Sequence, residues 1–139
     1  MIRLTFVALL SVLLIPCVAD AKECWSLSNM KGQSAVSSEG YAFHADTFSN
    51  PMILCFDGTT SSVSGDDTQF TMFGTSPLAG WAQNKGAELF EVYQVDRTTG
   101  KVLFTKTRIG SKSLLPGLPD IIGSFVGDAV KMKYVPAGN

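Results

Sequence analysis

The sequence holds few of the residues that catalytic and metal sites use. It contains one histidine, His44, and three cysteines in 139 residues, none of them spaced as C-x-x-C. Two of the cysteines are expected to form a disulfide and the third to leave with a signal peptide, and one histidine alone cannot fill a tetrahedral transition-metal site. The G-x-S-x-G, H-E-x-x-H, G-x-x-x-x-G-K-[S/T] and dinucleotide-binding motifs do not occur either. We therefore expect neither an enzyme nor a bound cofactor.

A strong charge of either sign is also missing. The chain has 11 Lys and Arg against 12 Asp and Glu, for a formal net charge of −1. Nucleic acids and anionic membrane surfaces select basic proteins, so neither is predicted as a partner. No N-x-S/T sequon occurs, and nothing else points to a glycosylated eukaryotic surface protein. A bacterial periplasmic or secreted protein with a protein partner fits these features best.

The only long apolar run stands near the N-terminus, at residues 4–15. Arg3 precedes this run, and an A-D-A cleavage pattern that ends at Ala21 follows it. The arrangement is typical of a secretory signal peptide, and the run is too short for a permanent membrane span. We predict that residues 1–21 are removed and that residues 22–139 form one domain without a membrane span.

Two cysteines, Cys24 and Cys55, remain after this cleavage. In an oxidising compartment a lone pair of cysteines is most simply a disulfide, and here it would staple the start of the domain to a later strand. Cys17 directly follows Pro16. An acylated lipoprotein cysteine follows a small residue, so we expect Cys17 to leave with the signal peptide and keep lipidation as the alternative.

Strand patterns dominate the middle of the chain. The clearest unit is residues 87–109, where two β-rich runs flank D-R-T-T-G and Gly100 can take a positive φ. On the second run, Lys106 and Arg108 indicate where one face meets solvent. Residues 74–86 are expected to form an irregular connection. Four further strands are predicted, at residues 23–27, 40–48, 51–56 and 69–73.

Residues 119–132, PDIIGSFVGDAVKM, place apolar side chains at helical spacing. Gly123 and Gly127 would each cost a helix about 1 kcal/mol relative to alanine, but they would let a strand backbone approach closely. The predicted fold is therefore α+β or mainly β. It has a single antiparallel sheet of five to seven strands, open or partly closed into a barrel, with one C-terminal helix packed against it.

The predicted contact surface is centred on the connection RIGSKSLLPGLPD, residues 108–120. Its G-S-K-S resembles a phosphate-binding loop only superficially, because the lysine is out of register and the surrounding pattern is antiparallel. Prolines stiffen the connection, and stiff loops lose little entropy on docking. Core packing is the alternative for its leucines and for Trp81. The candidate partner-binding residues are Arg108, Ser111, Lys112, Ser113, Leu114, Leu115, Trp81 and His44.

Two weaker possibilities come from polar pairs. His44 and Asp46 share one face of a strand, as a general base and its orienting carboxylate would. Asp57, Asp66 and Asp67 bracket a loop that could offer oxygen ligands to calcium, although the spacing matches no EF-hand. We regard turn formation as the simpler role of these aspartates.

The predicted function is a non-catalytic, protein-binding domain. An inhibitor or immunity-type protein that blocks an extracytoplasmic hydrolase, such as a cell-wall hydrolase, is the leading hypothesis. A small hydrolase that uses His44 is the least favoured. The main alternative is a β-domain that holds a small apolar ligand, lined by Phe43, Phe56, Phe70, Met72 and Phe104. A pocket of several hundred cubic ångströms inside the sheet favours this ligand carrier, whereas a solid core with protruding loops favours the inhibitor.

Overall fold

The computed structural model describes residues 23–56, 61–66, 68–74, 77–84, 86–110 and 118–133. A short 3-10 helix, Ser37–Glu39, follows the first strand. In these ranges no helix is long and apolar enough to cross a membrane. The strands are β1 (Glu23–Val36), β2 (His44–Phe48), β3 (Met52–Phe56), β4 (Ser62–Val63), β5 (Gln69–Met72), β6 (Pro77–Asn84), β7 (Ala87–Asp96), β8 (Lys101–Ile109) and β9 (Ile121–Lys131).

These strands form one antiparallel sheet in the order β4-β3-β1-β9-β8-β7-β6-β5. Both β2 and β3 pair with the edge of β1 that β9 leaves open. The end strands β4 and β5 meet at a bridge between Ser61 and Phe70, so the sheet is nearly closed into a barrel. The prediction of a single antiparallel sheet is confirmed, and of the two forms left open the sheet takes the partly closed one. The described residues form nine strands rather than five to seven.

The predicted C-terminal helix is wrong, because residues 121–131 form strand β9. This strand lies between β1 and β8 and forms ladders with both. Its inward side chains are small or aromatic, and its outward side chains are also largely apolar. Apolar residues on both faces imitate a helical stripe, and the glycines fit where neighbouring groups leave no room for a side chain. The buried inward residues are Gly123, Phe125, Gly127 and Ala129, and the exposed outward ones include Ile122, Val126 and Val130.

Strand β1 is far longer than the predicted strand at residues 23–27. The prediction ends early because β1 contains a bulge that interrupts the sequence pattern. Trp25 and Leu27 point inward before the bulge, and Met30 points inward after it. The pairing with β9 shifts register in between, at Asn29, whose φ is 54°. A bulge adds one residue and so reverses the alternation of faces. The sequence therefore shows no continuous period of two across β1.

Strand β6 occupies the segment that the sequence predicts to be irregular. Leu78 and Gly80 are buried, and Trp81 is exposed. A Cβ atom at Gly80 would overlap the ring of Phe70 on the neighbouring strand. The small residues thus serve close packing, but they remove the alternating apolar pattern by which a strand is recognised.

The predicted hairpin and disulfide are both confirmed. Strands β7 and β8 pair from Glu88↔Ile109 to Asp96↔Lys101, and Gly100 has a φ of 66°. Cys24 and Cys55 are bonded at directly opposite positions of β1 and β3. The predicted signal peptide, with Cys17, lies outside the described residues.

An aromatic layer crosses the interior of the barrel. Tyr93, Phe104 and Phe125 lie side by side on β7, β8 and β9, and their ring centroids are 4.4 Å and 5.8 Å apart. Phe48 of β2 meets Phe125 edge-on, with centroids 5.1 Å apart. Such ring pairs add about 0.5–1.5 kcal/mol each beyond the area that they bury. Along β7 the inward residues then change from Val95 and Tyr93 to a buried charge.

Candidate functional site

A cavity of about 380 Å³ lies inside the barrel, against the aromatic layer. This volume is at the lower end of the range for small-molecule sites, roughly 300–1,000 Å³. The apolar lining consists of Phe48, Met52, Val63, Tyr93, Phe104, Ile121 and Phe125. The polar lining includes Asp46, Ser64, Asp66, Glu91, Lys106 and Arg108.

Strand register explains why charged side chains point into this cavity. Alternate residues of a strand share a face, so the row next to Tyr93 and Phe104 is Glu91 opposite Lys106. Gly123 of β9 stands opposite Lys106 and adds no side chain. Lys106 and Arg108, which are predicted to mark where this face meets solvent, are half-buried and line the cavity.

Glu91 and Lys106 form the closest contact in this charged row. Lys106 Nζ lies 2.6 Å from Glu91 Oε1, and the Glu91 residue is only 1 % exposed. The hydroxyl of Tyr93 donates to Glu91 Oε2 at 3.1 Å. Burial raises the pKa of the Glu91 carboxyl above its ordinary value, and Lys106 opposes this effect without cancelling it. The ion pair is thus held in a site that disfavours charge.

Asp66 completes the cluster from the turn between β4 and β5. Burial raises its pKa, but hydrogen bonds from Thr68 and from Glu91 outweigh burial, so the pKa of Asp66 is below its ordinary value. One of these bonds runs from the Thr68 amide to Asp66 Oδ1 at 2.8 Å. The two carboxyl groups therefore have pKa values moved apart, with Glu91 the better proton holder.

Arg108 also lines the cavity, but it has little to bind. Its Nη2 donates to the backbone oxygen of Pro119 at 3.0 Å, while its Nε is buried without a hydrogen-bond partner. Among the described residues Arg108 forms no ion pair. Its cross-strand neighbours, Leu89 and Ile121, are apolar. Arg108 thus joins the cavity lining as a cation without a counterion among the described residues.

No family model, curated protein or solved structure matches this chain. In the part of the chain that the structure describes, no three His, Cys, Asp or Glu side chains are grouped so that they could hold a metal ion.

Three of the predicted contact residues are described by the structure, and they lie on three separate strands. Arg108 points into the cavity from β8. His44 of β2 is exposed, with Nδ1 3.2 Å from Glu39 Oε2. Trp81 is 55 % exposed on β6, directly opposite Phe90. These three strands do not pair with one another. The remaining candidates lie outside the described residues, namely Ser111, Lys112, Ser113, Leu114 and Leu115.

Sequence reasoning missed Glu91 and Asp66 as interior residues. A signal for Glu91 exists, because it stands between Leu89 and Tyr93 on one face and opposite Lys106 in the predicted hairpin. Asp66 offers no such signal, since its position depends on a turn that brings it to β7. Of the residues predicted to line a ligand cavity, Phe104 does so. The others are exposed (Phe43), buried in the core (Phe56, Phe70) or packed against it (Met72).

Proposed function

We propose that this protein binds a small amphiphilic molecule inside its barrel, in the extracytoplasmic compartment to which the predicted signal peptide would direct it. The observation that carries the proposal is the cavity of about 380 Å³, which has an apolar side and a charged side. Its floor of Phe48, Phe104 and Phe125 suits an apolar tail, while Lys106 and Arg108 suit a polar end. Small-molecule sites combine these features, a mostly apolar wall with a few placed polar groups.

The buried ion pair adds support. Replacing a buried ion pair by apolar residues of similar volume is often neutral or stabilising. A contribution to stability alone is thus a poor explanation for Glu91 and Lys106. Their position beside the aromatic cavity suits a role in ligand binding. A polar end group of the ligand can exchange hydrogen bonds with this cluster in place of water.

The proposal is tested with a neutral fluorescent probe, N-phenyl-1-naphthylamine, and with two variants that carry the same substitution at adjacent positions. Ile121→Trp adds a large ring to the cavity lining, whereas Ile122→Trp adds the same ring on the outer face, where Ile122 is 41 % exposed. We expect saturable binding to the wild type, a loss of about tenfold or more in Ile121→Trp, and no change in Ile122→Trp. Absence of saturable binding, or an equal loss in both variants, would overturn the proposal.

The role of inhibitor or immunity-type protein is a second proposal, supported by the outer face of β6 and β7. Trp81 and Phe90 are directly opposed there and are 55 % and 46 % exposed. Exposed aromatic residues often anchor protein interfaces. We expect the protein to inhibit a member of a panel of purified cell-wall hydrolases, and Trp81→Ala to weaken that inhibition. This role would be contradicted if every hydrolase kept its full activity when this protein was added in stoichiometric excess.

A further inference from the structure

We infer that the cavity selects amphiphiles that end in an oxyanion and that the guanidinium of Arg108 holds that group. The inference rests on the proposed small-molecule binding and specifies its ligand class. The juxtaposition behind it is an arginine that has no ion pair with any described residue and that lines the cavity together with three phenylalanines. A planar guanidinium donates two parallel hydrogen bonds to a carboxylate or phosphate, which a lysine cannot do in the same geometry.

The other charged groups of the lining are largely used by one another. Lys106 is paired with Glu91 at 2.6 Å, and Asp66 shares a hydrogen bond with Glu91. Asp46 and Arg108 are left without an ion pair among the described residues. The cavity therefore offers one anion-binding and one cation-binding group, and a cationic ligand at Asp46 is the competing possibility.

Burial decides between these two groups. Arg108 Nε is the one buried side-chain polar atom of the described residues that has no hydrogen-bond partner. A buried donor without a partner loses the hydrogen bonds that water would give it. The Arg108 side chain must turn towards the cavity before Nε can donate to a ligand, and a ligand acceptor then restores the missing hydrogen bond. The apolar flanks of Leu89 and Ile121 lower the local dielectric and strengthen such a charge-assisted bond. Asp46, with no atom in that condition, gains less from a cation.

The experiment ranks four probes built on a straight chain of eight carbons, which in octanoate includes the carboxyl carbon, by their power to displace N-phenyl-1-naphthylamine at pH 7. Octanoate and octyl phosphate carry oxyanions, octan-1-ol is neutral, and octyltrimethylammonium is a cation. We expect at least one oxyanion to displace the dye at about tenfold lower concentration than octan-1-ol. The order of octanoate and octyl phosphate then distinguishes a carboxylate ligand from a phosphate ligand.

Variants assign the preference to Arg108. In Arg108→Met we expect the oxyanions to lose their advantage over octan-1-ol, so that the oxyanion preference vanishes. Lys31→Met removes one exposed cation outside the cavity and is expected to keep the preference. Arg108→Lys keeps the charge without the planar fork, and we expect it to retain only part of the preference. This variant and the wild-type ranking keep the test decisive if Arg108→Met does not fold.

Three results overturn the inference while leaving small-molecule binding intact. They are equal displacement by octan-1-ol and the oxyanions, strongest displacement by octyltrimethylammonium, and an oxyanion preference that survives in Arg108→Met. If the wild type binds neither the dye nor any of the four probes, the proposed function itself fails and the inference falls with it.

Discussion

Replacing Lys106 by methionine tests the central electrostatic feature of the barrel. Methionine keeps most of the apolar stem but removes the ammonium that lies 2.6 Å from Glu91. Glu91 is 1 % exposed, so its carboxylate would lose its counterion in a place that water scarcely reaches. Removing one partner of a buried ion pair commonly costs about 3–5 kcal/mol.

Protonation of Glu91 sets an upper limit to this loss. A carboxyl with the ordinary pKa of 4.5 costs about 1.4 kcal/mol per pH unit to neutralise above that pH. The limit is therefore about 3 kcal/mol at pH 7 and about 0.7 kcal/mol at pH 5. Burial raises the pKa of Glu91 already in the wild type, and removal of Lys106 raises it further. A carboxyl whose pKa is higher in the folded than in the unfolded state stabilises the fold at a pH below the unfolded pKa, and this stability is lost as the pH rises through the folded pKa. The free energy of unfolding of the variant should therefore fall more steeply than that of the wild type above pH 4.5.

Urea unfolding followed by the fluorescence of the buried Trp25 measures this loss at pH 5 and pH 7. The matched control is Lys101→Met, because Lys101 also lies 2.6 Å from its partner, Asp128, but on the exposed surface. We expect a much smaller loss there, since exposed ion pairs contribute little. Equal losses in the two variants, or a loss in Lys106→Met that does not shrink at pH 5, would refute the reasoning.

Two further predictions concern stability. Replacing Cys24 and Cys55 by serine should lower the free energy of unfolding by about 3–4 kcal/mol, because the unfolded chain loses a closed loop that spans 31 positions; a urea midpoint equal to that of the wild type would contradict this. Gly32→Ala should cost about 1–3 kcal/mol, since its Cβ would overlap the backbone oxygen of Ser124 on β9. Gln33→Ala, at the neighbouring exposed position, should change stability by less than about 0.5 kcal/mol, and similar losses in the two alanine variants would show that β1 and β9 separate easily.

The parts of the fold that the sequence predicts are those in which local signals agree. In the β7–β8 hairpin the turn chemistry around Gly100 and the two β-rich runs support the same register. The pairing of Cys24 with Cys55 follows from the cysteine count once a signal peptide is assumed. The sequence does not decide whether the sheet closes into a barrel, because closure depends on a contact between Ser61 and Phe70 that no local pattern encodes.

The parts that failed are those in which neighbouring strands decide. The stripe of Ile122, Phe125 and Val126 fits a helix, and only pairing on both sides makes β9 a strand. Gly123 and Gly127 argue against a helix, because glycine destabilises a helix. Both lie where a side chain would overlap other groups. The charged part of the cavity lining escapes prediction for a similar reason, since charged residues on an alternating strand are normally taken to face water.

The central position of β1 in the sheet has a consequence for how the protein folds. β1 and β9 are the first and last strands of the described chain, and they are neighbours in the middle of the sheet. Contacts between residues so far apart in sequence form slowly, because the loop entropy must be overcome before the ladder gives anything in return. The β7–β8 hairpin can form early, but β1 cannot join it until β9 is present. We therefore expect slow folding that begins in the C-terminal half and ends when β1 docks, with truncations before residue 121 unable to close the barrel.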